Sequence, residues 1–260
     1  VIPPAASEAP GPASLDLSVV IPVYNEEESL PVLWPELRDV LVATGLGFEV
    51  LFVDDGSHDR SAEIIRAFRE ADPRVRLVKL KSNAGETAAT DAGLKSARGR
   101  WVVTMDADLQ NDPRDIPGML AHLREWDAVT GWRVDRGAGD SLVRRVSSRV
   151  ANRVRNALSD ESIQDSGCTF RAFRRECLGD LVLYKGFHRF IPTLLRMRGY
   201  RVLEVPVNHR PRRFGQSKYG IGNRALRAFY DLLIVRWMKD RLLRYDVAED
   251  VGGDGGGSPR

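Results

Sequence analysis

The chain is predicted to fold as a doubly wound α/β domain, and three observations carry that prediction. Hydrophobic runs of strand length recur along it; apolar residues at spacings of three and four fill the gaps between them; and the runs end in polar clusters. Alternation of strand and helix builds an open parallel sheet covered on both faces. The ligands of such a sheet lie beyond the carboxyl ends of its strands, so the polar clusters are expected to share one crevice.

The elements follow in order. Leu17-Ser-Val-Val-Ile-Pro-Val23 is the first strand and stops at Tyr24-Asn-Glu-Glu27, after which Leu30, Leu33, Leu37, Val40 and Leu41 trace one face of a helix. Phe48-Glu-Val-Leu-Phe-Val53 repeats the design and ends in Asp54-Asp-Gly-Ser57, with Ala62, Ile65 and Phe68 on the helix that follows. A third run spans Val75 to Leu80. A further helical pattern leads to the strand Trp101-Val-Val103, which runs into Thr104-Met-Asp-Ala-Asp-Leu-Gln110. Asn111-Asp-Pro-Arg-Asp115 reads as a turn and helix start, with Pro113 near the first helical position and its acids serving as caps. Ala128 to Arg133 is the next strand. Near the end, Asn223 to Arg244 reads as an amphipathic helix whose stripe is Leu226, Phe229, Tyr230, Leu233 and Trp237. That stripe suits core packing and an interfacial helix on anionic lipid equally.

The chemistry concentrates at Asp106, Asp108 and Gln110. In an extended segment, side chains at alternate positions project to one side, so three oxygen-bearing groups converge on one point. Mg2+ or Mn2+ takes oxygen ligands of this kind and keeps positions open for water and substrate phosphates, which suggests a metal that holds a diphosphate. Taken alone, Asp-x-Asp is more simply two solvated acids at a strand end. The strand-end clusters at Tyr24 to Glu26 and at Asp54 to Ser57 shift the reading toward a site.

Four stretches in succession, Val19-Val-Ile-Pro-Val-Tyr-Asn-Glu26, Val53-Asp-Asp-Gly-Ser57, Asn83-Ala-Gly-Glu-Thr-Ala-Ala89 and Met105-Asp-Ala-Asp-Leu-Gln110, resemble the motifs of the family 2 inverting glycosyltransferases. The resemblance runs from about Leu17 to Asp240 and is strongest to the branch that moves a sugar onto a polyprenyl or dolichol phosphate. It implies the GT-A fold, a Rossmann-like mixed sheet, and metal-dependent transfer from a nucleotide-diphosphate sugar. By the same resemblance Pro22, Tyr24 and Glu26 line the base and ribose, and Asp54 or Asp55 accepts hydrogen bonds from the nucleotide, with Asp55 favoured by register. Lys81 and the loop before the next helix reach toward ribose or diphosphate. Asp106 and Ala107 face the donor, while Asp108 with Gln110 holds the metal.

On the acceptor side, Arg133, Arg144 and Ser148 resemble the branch's clamp for lipid phosphate, and Arg144 and Ser148 share a helix face at i and i+4. Asp165 lies beside the acceptor, where it acts as a base toward an alcohol or positions a sugar hydroxyl when the acceptor is already ionised. His188 and Arg189 are expected at the acceptor mouth. His209 to Gly220 resembles the family's mobile loop, in which Arg212, Arg213, Ser217 and Lys218 neutralise the departing diphosphate. Processive polysaccharide synthases of the family carry Gln-x-x-Arg-Trp. Here Arg236-Trp237 is preceded at that position by Leu233, which argues for a single transfer.

Bulk properties fit. A chain of 260 residues buries one large core, and its net charge of +3 hides a division. Residues 1–132 hold 13 Lys+Arg against 22 Asp+Glu, and residues 133–260 hold 26 against 14. An acidic half that chelates metal and a basic half that meets phosphate explain the split better than nucleic acid does, because no nucleic-acid motif is present. Cys168 and Cys177 lack metal-ligand spacing and read as reduced thiols. The expected organisation is a disordered lead over 1–15, a catalytic domain over 16–222, the amphipathic helix over 223–246 and a flexible tail over 247–260. No apolar run approaches the ~20 residues of a membrane span, so the expected location is cytoplasmic and peripheral to an anionic membrane surface. A membrane-anchored partner protein or a homo-oligomer is the other route to lipid. The competing functions are transfer to a soluble alcohol acceptor, which needs Asp165 as base, and a non-catalytic nucleotide-sugar-binding scaffold.

Overall fold

A computed structural model describes residues 15–134, 163–165, 167–179, 181–214 and 222–243. Seven strands form one sheet: β1 (Leu17–Val23), β2 (Phe48–Asp54), β3 (Val75–Lys79), β4 (Trp101–Thr104), β5 (Ala128–Arg133), β6 (Arg171–Arg174) and β7 (Val202–Val207), in the spatial order β3-β2-β1-β4-β6-β5-β7. All run the same way except β6, which lies antiparallel between β4 and β5. The sheet is therefore mixed, as the family resemblance implies; the strand-helix cadence alone implied a parallel one. β6 escapes notice in the sequence because its four residues, Arg-Ala-Phe-Arg, include two arginines. One of them, Arg171, is almost wholly buried.

Helices cover both faces. Leu17, Val19, Ile21 and Val23 of β1 point into one core with α1 (Leu30–Ala43), α2 (Ser61–Ala71) and α4 (Ile116–His122). Val20 points into the other, shared with α3 (Glu86–Ser96), α5 (Ile191–Met197) and α6 (Gly222–Arg241). Alternate residues of one strand thus serve opposite layers, which is why β1 and β2 read as near-continuous apolar runs. The α1 stripe is the expected one: Leu30, Leu33, Leu37 and Leu41 are buried, with Trp34 added.

Among the α6 residues whose side chains are described, Leu232 and Val235 are buried in the core, whereas Tyr230, Leu233 and Trp237 of the expected stripe are exposed, Trp237 by 62%; Leu226 and Phe229 lie outside the described side chains. Leu232-Leu-Ile-Val235 is apolar at four successive positions, so spacing alone did not reveal which side turns inward. Among the described residues no helix is long and apolar enough to cross a membrane. Cys168 and Cys177 are buried free thiols. The expected lead and tail fall outside the described residues save for position 15.

The turn after β2 fixes the crevice. Gly56 has φ of +69°, and a Cβ there would meet the Asn83 amide nitrogen at 2.6 Å. Gly45 shares the left-handed conformation, with φ of +71°, yet has open space around it. Gly45→Ala is expected to cost about 1–2 kcal/mol from conformation alone. Gly56→Ala should lose a further ~1–3 kcal/mol from the clash in thermal or denaturant unfolding, so equal costs for the two would show that the contact does not matter.

Candidate functional site

Three loops at the carboxyl ends of β1, β2 and β4 meet around one crevice. The first two are stitched together by backbone amides. The Asn25 amide donates to Ser57 Oγ at 3.0 Å, Glu26 to Ser61 Oγ at 2.8 Å and Glu27 to Asp59 Oδ2 at 3.1 Å, while the Arg60 amide donates to Glu27 Oε2 at 3.0 Å. Asn25 adopts a φ of +54° to make the turn.

The paired acids of the β2 loop then divide the work. Asp54 is fully buried and turns away, accepting from the Ser57 amide at 3.0 Å, with Lys79 Nζ 3.6 Å from its other oxygen. Asp55 faces the crevice and accepts from the amides of Ala84 at 2.7 Å and Gly85 at 2.9 Å, which draws the loop before α3 over the site.

After β4 the backbone bends instead of continuing extended, and Leu109 takes a φ of +66°. The expected strand-like alternation of Asp106, Asp108 and Gln110 is thus incorrect; a turn gathers them. Its geometry is held by the Asn111 side chain, which accepts from the Asp106 amide at 2.8 Å, and by Asp108 Oδ1, which accepts from the Gln110 amide at 3.1 Å. Asp106 is met from the far side by Thr169, whose hydroxyl donates to Oδ2 at 2.6 Å, while Thr104 donates to the Thr169 carbonyl at 2.7 Å. Burial first, then the negative charges of Asp108 and Glu86, push the Asp106 carboxyl up to about 7, against the opposing pull of the Thr169 hydrogen bond and the Arg133 charge.

Arg212 reaches into this cluster from beyond β7. Its Nη2 lies 2.5 Å from Asp108 Oδ2 and 3.4 Å from Gln110 Oε1. The segment that carries it is laid along the β4 loop: the Arg210 amide donates to the Gln110 carbonyl at 2.8 Å, and His209 bridges Asn111. The Arg210 guanidinium clasps Glu36 through two bonds and Asp112 at 2.7 Å. Burial alone would raise the Asp112 carboxyl, but hydrogen bonds from Arg114 and Arg210 outweigh it and hold it at about 2. Asp112 also caps the short 3-10 turn after it, as expected, by accepting from the Arg114 amide.

The resulting cavity of about 420 Å³ is lined by Pro22, Val23, Tyr24, Glu26, Asp55, Asn83, Gly85, Glu86, Ala89, Asp106, Ala107, Asp108 and Arg212. Lys81 is exposed and Asp54 is buried, and neither lines it. A smaller recess continues from Asp106 to Thr169, Arg171 and His188. His188 Nδ1 lies 2.7 Å from Thr87 Oγ1 and its Nε2 lies 3.4 Å from Glu86, so the expected acceptor-mouth histidine is tied to the start of α3. Arg133 binds Asp165 in two-pronged fashion, Nε to Oδ2 at 2.7 Å and Nη2 to Oδ1 at 3.0 Å. Arg213 is exposed, and Arg144, Ser148, Ser217 and Lys218 lie outside the described residues.

Thr169, Asn111, Glu86 and Arg210 shape the site yet were not singled out as site residues. Thr169 and Arg210 act across 63 and 174 residues of chain, and no local spacing announces such contacts.

The oxygen set suits a small hard cation. Asp108 Oδ2 and Gln110 Oε1 already converge on one positive group, the Arg212 guanidinium, and the half-buried Asp106 stands beside them. Among the described residues no three His, Cys, Asp or Glu side chains gather as a metal cluster, so two carboxylates and an amide would have to hold a cation with water and diphosphate oxygens completing its shell.

Comparison with known proteins adds the following. A sequence model of a family described as Glycosyl transferase family 2 matches residues 18–182. The dodecaprenyl-phosphate galacturonate synthase of Rhizobium johnstonii is 39% identical over 85% of this chain and 67% of its own length. The undecaprenyl-phosphate 4-deoxy-4-formamido-L-arabinose transferase of Salmonella typhimurium is 38% identical over 84% of this chain and 66% of its own. The chain thus spans about two thirds of the length of these relatives. Among solved structures, glucosyl-3-phosphoglycerate synthase from Mycobacterium tuberculosis, in complex with Mn2+ and UDP-glucose, aligns with a TM-score of 0.64 at 23% identity, covering 86% of this chain and 79% of that one. That likeness is one of fold, the GT-A-like arrangement of the mixed sheet.

If Asp106 takes part in holding a cation, its proton must leave first. Mn2+ binding is expected to weaken about tenfold per pH unit below about 7, the value to which Asp106 is raised, and Asp108→Ala should abolish it. Paramagnetic titration of Mn2+ on either side of that pH checks this, and an affinity flat with pH removes Asp106 from the ligand set.

Proposed function

The chain belongs to glycosyl transferase family 2 and is a glycosyltransferase, and from that premise we propose that it moves a single hexose from a nucleotide-diphosphate sugar to a polyprenyl phosphate, with inversion, at the cytosolic face of a membrane. The activities of the 39% and 38% identical relatives, both of which act on a polyprenyl phosphate by name, support the lipid-phosphate acceptor. The observation that carries the reading within this chain is the Arg133–Asp165 pair. An alcohol acceptor has to lose a proton as it attacks, and Asp165 is the acid available on that side. Both oxygens of Asp165 are engaged by a guanidinium and it is only 5% exposed, so it is not presented to an incoming hydroxyl. A phosphate acceptor brings its own ionised oxygen and has no need of one.

In this reading Pro22, Tyr24, Glu26 and Asp55 hold the nucleotide in the cavity, and Asp106 and Ala107 face the donor sugar. The acceptor oxygen attacks the anomeric carbon opposite the diphosphate; the new carbon–oxygen bond forms as the bond to the leaving phosphate breaks, and the configuration inverts. A divalent cation, Mg2+ or Mn2+, supplies positive charge to the leaving diphosphate when bound at Asp108 and Gln110. Arg212, Arg213 and Lys218 add charge to the same group as it departs, and Arg133, Arg144 and Ser148 bind the acceptor phosphate. The exposed Tyr230, Leu233, Ile234 and Trp237 of α6, with exposed Val182 and Tyr184 of the loop preceding His188, supply an apolar surface for lying on lipid. Gly186 in that loop lies against Asp231 of α6, so the apolar surface adjoins the acceptor side of the site.

Two outcomes test the proposal. Arg144→Ala should raise the apparent KM for a short polyprenyl phosphate about tenfold to a hundredfold, with lipid-extractable sugar as the readout, and leave that for nucleotide sugar near wild type. If Arg144→Ala changes nothing and Asp165→Asn abolishes turnover, the acceptor is an alcohol. The protein should also sediment with vesicles containing anionic lipid, release as salt rises, and lose about tenfold in partitioning on Trp237→Glu. Absence of binding at low salt would leave a membrane-anchored partner or a homo-oligomer as the route to lipid.

A further inference from the structure

Asp108 Oδ2 and Gln110 Oε1 converge on Arg212 Nη2, at 2.5 and 3.4 Å, in the position where a cation held by those two oxygens would sit. Arg212 is an exposed residue, but the backbone that carries it is anchored. Arg210, two residues earlier, is pinned by Glu36 and Asp112, its amide bonds the Gln110 carbonyl, and the Asn208 amide and side chain both bond Asp115 at 2.8 Å. Arg212 is thus delivered to the carboxylate cluster by a short, anchored stretch of backbone. Among the described residues lining the donor cavity it is the one arginine.

From this geometry we infer that Arg212 is a cation placeholder: it occupies the metal position of Asp108 and Gln110 until a divalent cation displaces it, and the displaced guanidinium is then free for the diphosphate in the adjoining cavity. The inference rests on the metal-dependent reading of the site and adds a competition to it. Geometry drives the exchange: Asp108 Oδ2 and Gln110 Oε1 are aimed at one point, and the group at that point is the guanidinium of Arg212. A divalent cation and a guanidinium cannot share the same two oxygens, so entry of one expels the other. The expelled Arg212 still borders the cavity, where a diphosphate offers it the bidentate geometry that it loses on Asp108. Metal binding thereby prepares the leaving-group side of the site before the donor arrives, and Arg210 keeps the released side chain within reach.

The test measures Mn2+ binding without nucleotide. Arg212→Ala is expected to bind free Mn2+ about threefold to tenfold more tightly than wild type, because a competing ion pair is gone. Removing any nearby positive charge favours a cation to some degree, so Arg60→Ala, in the loop after β2, exposed and paired with Glu63, is the charge-matched comparison and should stay within about twofold of wild type. In the wild-type protein, phenylglyoxal modification of Arg212, read by peptide mapping, should speed up severalfold when Mn2+ is added. Equal Mn2+ affinity in wild type and Arg212→Ala, weaker affinity in Arg212→Ala, an equal gain in Arg60→Ala, or unchanged labelling each overturns the placeholder while leaving a metal site in being. No Mn2+ binding to wild type or either variant overturns the metal reading and the placeholder together.

Discussion

The fold's central electrostatic constraint is a pair of carboxylates, Asp106 and Asp108, set in a turn at the end of β4 where burial and the neighbouring negative charge of Asp108 oppose the ionisation of Asp106. Such a cluster persists only if hydrogen bonds and positive charge surround it. The surroundings come from many parts of the chain: Thr169 from the segment leading into β6, Asn111 from the same turn, Arg133 from the end of β5, and Arg212 from beyond β7. The single antiparallel strand has a place in this. By running back between β4 and β5, β6 brings Thr169 to the carboxyl end of β4 beside Asp106, a position that a parallel strand would fill with its opposite end.

Much of the donor side was legible in the sequence, for a physical reason. Doubly wound sheets gather strand ends, so each polar cluster that terminates an apolar run could be assigned to the crevice without knowing the order of the strands. Pro22, Tyr24, Glu26, Asp55, Asp106, Ala107 and Asp108 all line the cavity. What misled was geometry at the scale of one turn. Alternate spacing suggested that Asp106, Asp108 and Gln110 share an extended face, whereas the positive φ of Leu109 and the Asn111 side chain produce the convergence by bending the backbone. Asp54 and Asp55 are chemically identical neighbours, and only the fold reveals that one caps a turn while the other gathers amides.

The acceptor side was less legible because its contacts are long-range. Arg133 and Asp165 were each assigned separate roles, yet they form one buried pair, and neither sequence neighbourhood contains a sign of the other. α6 illustrates a different limit. Where four apolar residues follow in succession, helical periodicity cannot orient the helix, and the decision passes to whatever packs against it.

The division of charge along the chain then gains a structural meaning. Many acids of the first half pair with cations of the same half, such as Asp72 with Arg74 and Glu49 with Arg76, but Asp108 and Glu36 are reached by arginines of the second, across separations of 104 residues for Arg212–Asp108 and 174 for Arg210–Glu36. The family match covers residues 18–182, so these two arginines lie beyond it. The donor cavity nevertheless depends on them. Arg210 fastens α1 and the β4 loop to the segment after β7, and Arg212 supplies the positive charge that the exposed edge of the carboxylate cluster lacks. A sheet assembled from the acidic half alone would present its crevice with an uncompensated cluster of acids. The basic half therefore completes the electrostatics of the site, Arg133 and Arg212 bringing positive charge to Asp106 and Asp108 from further along the chain.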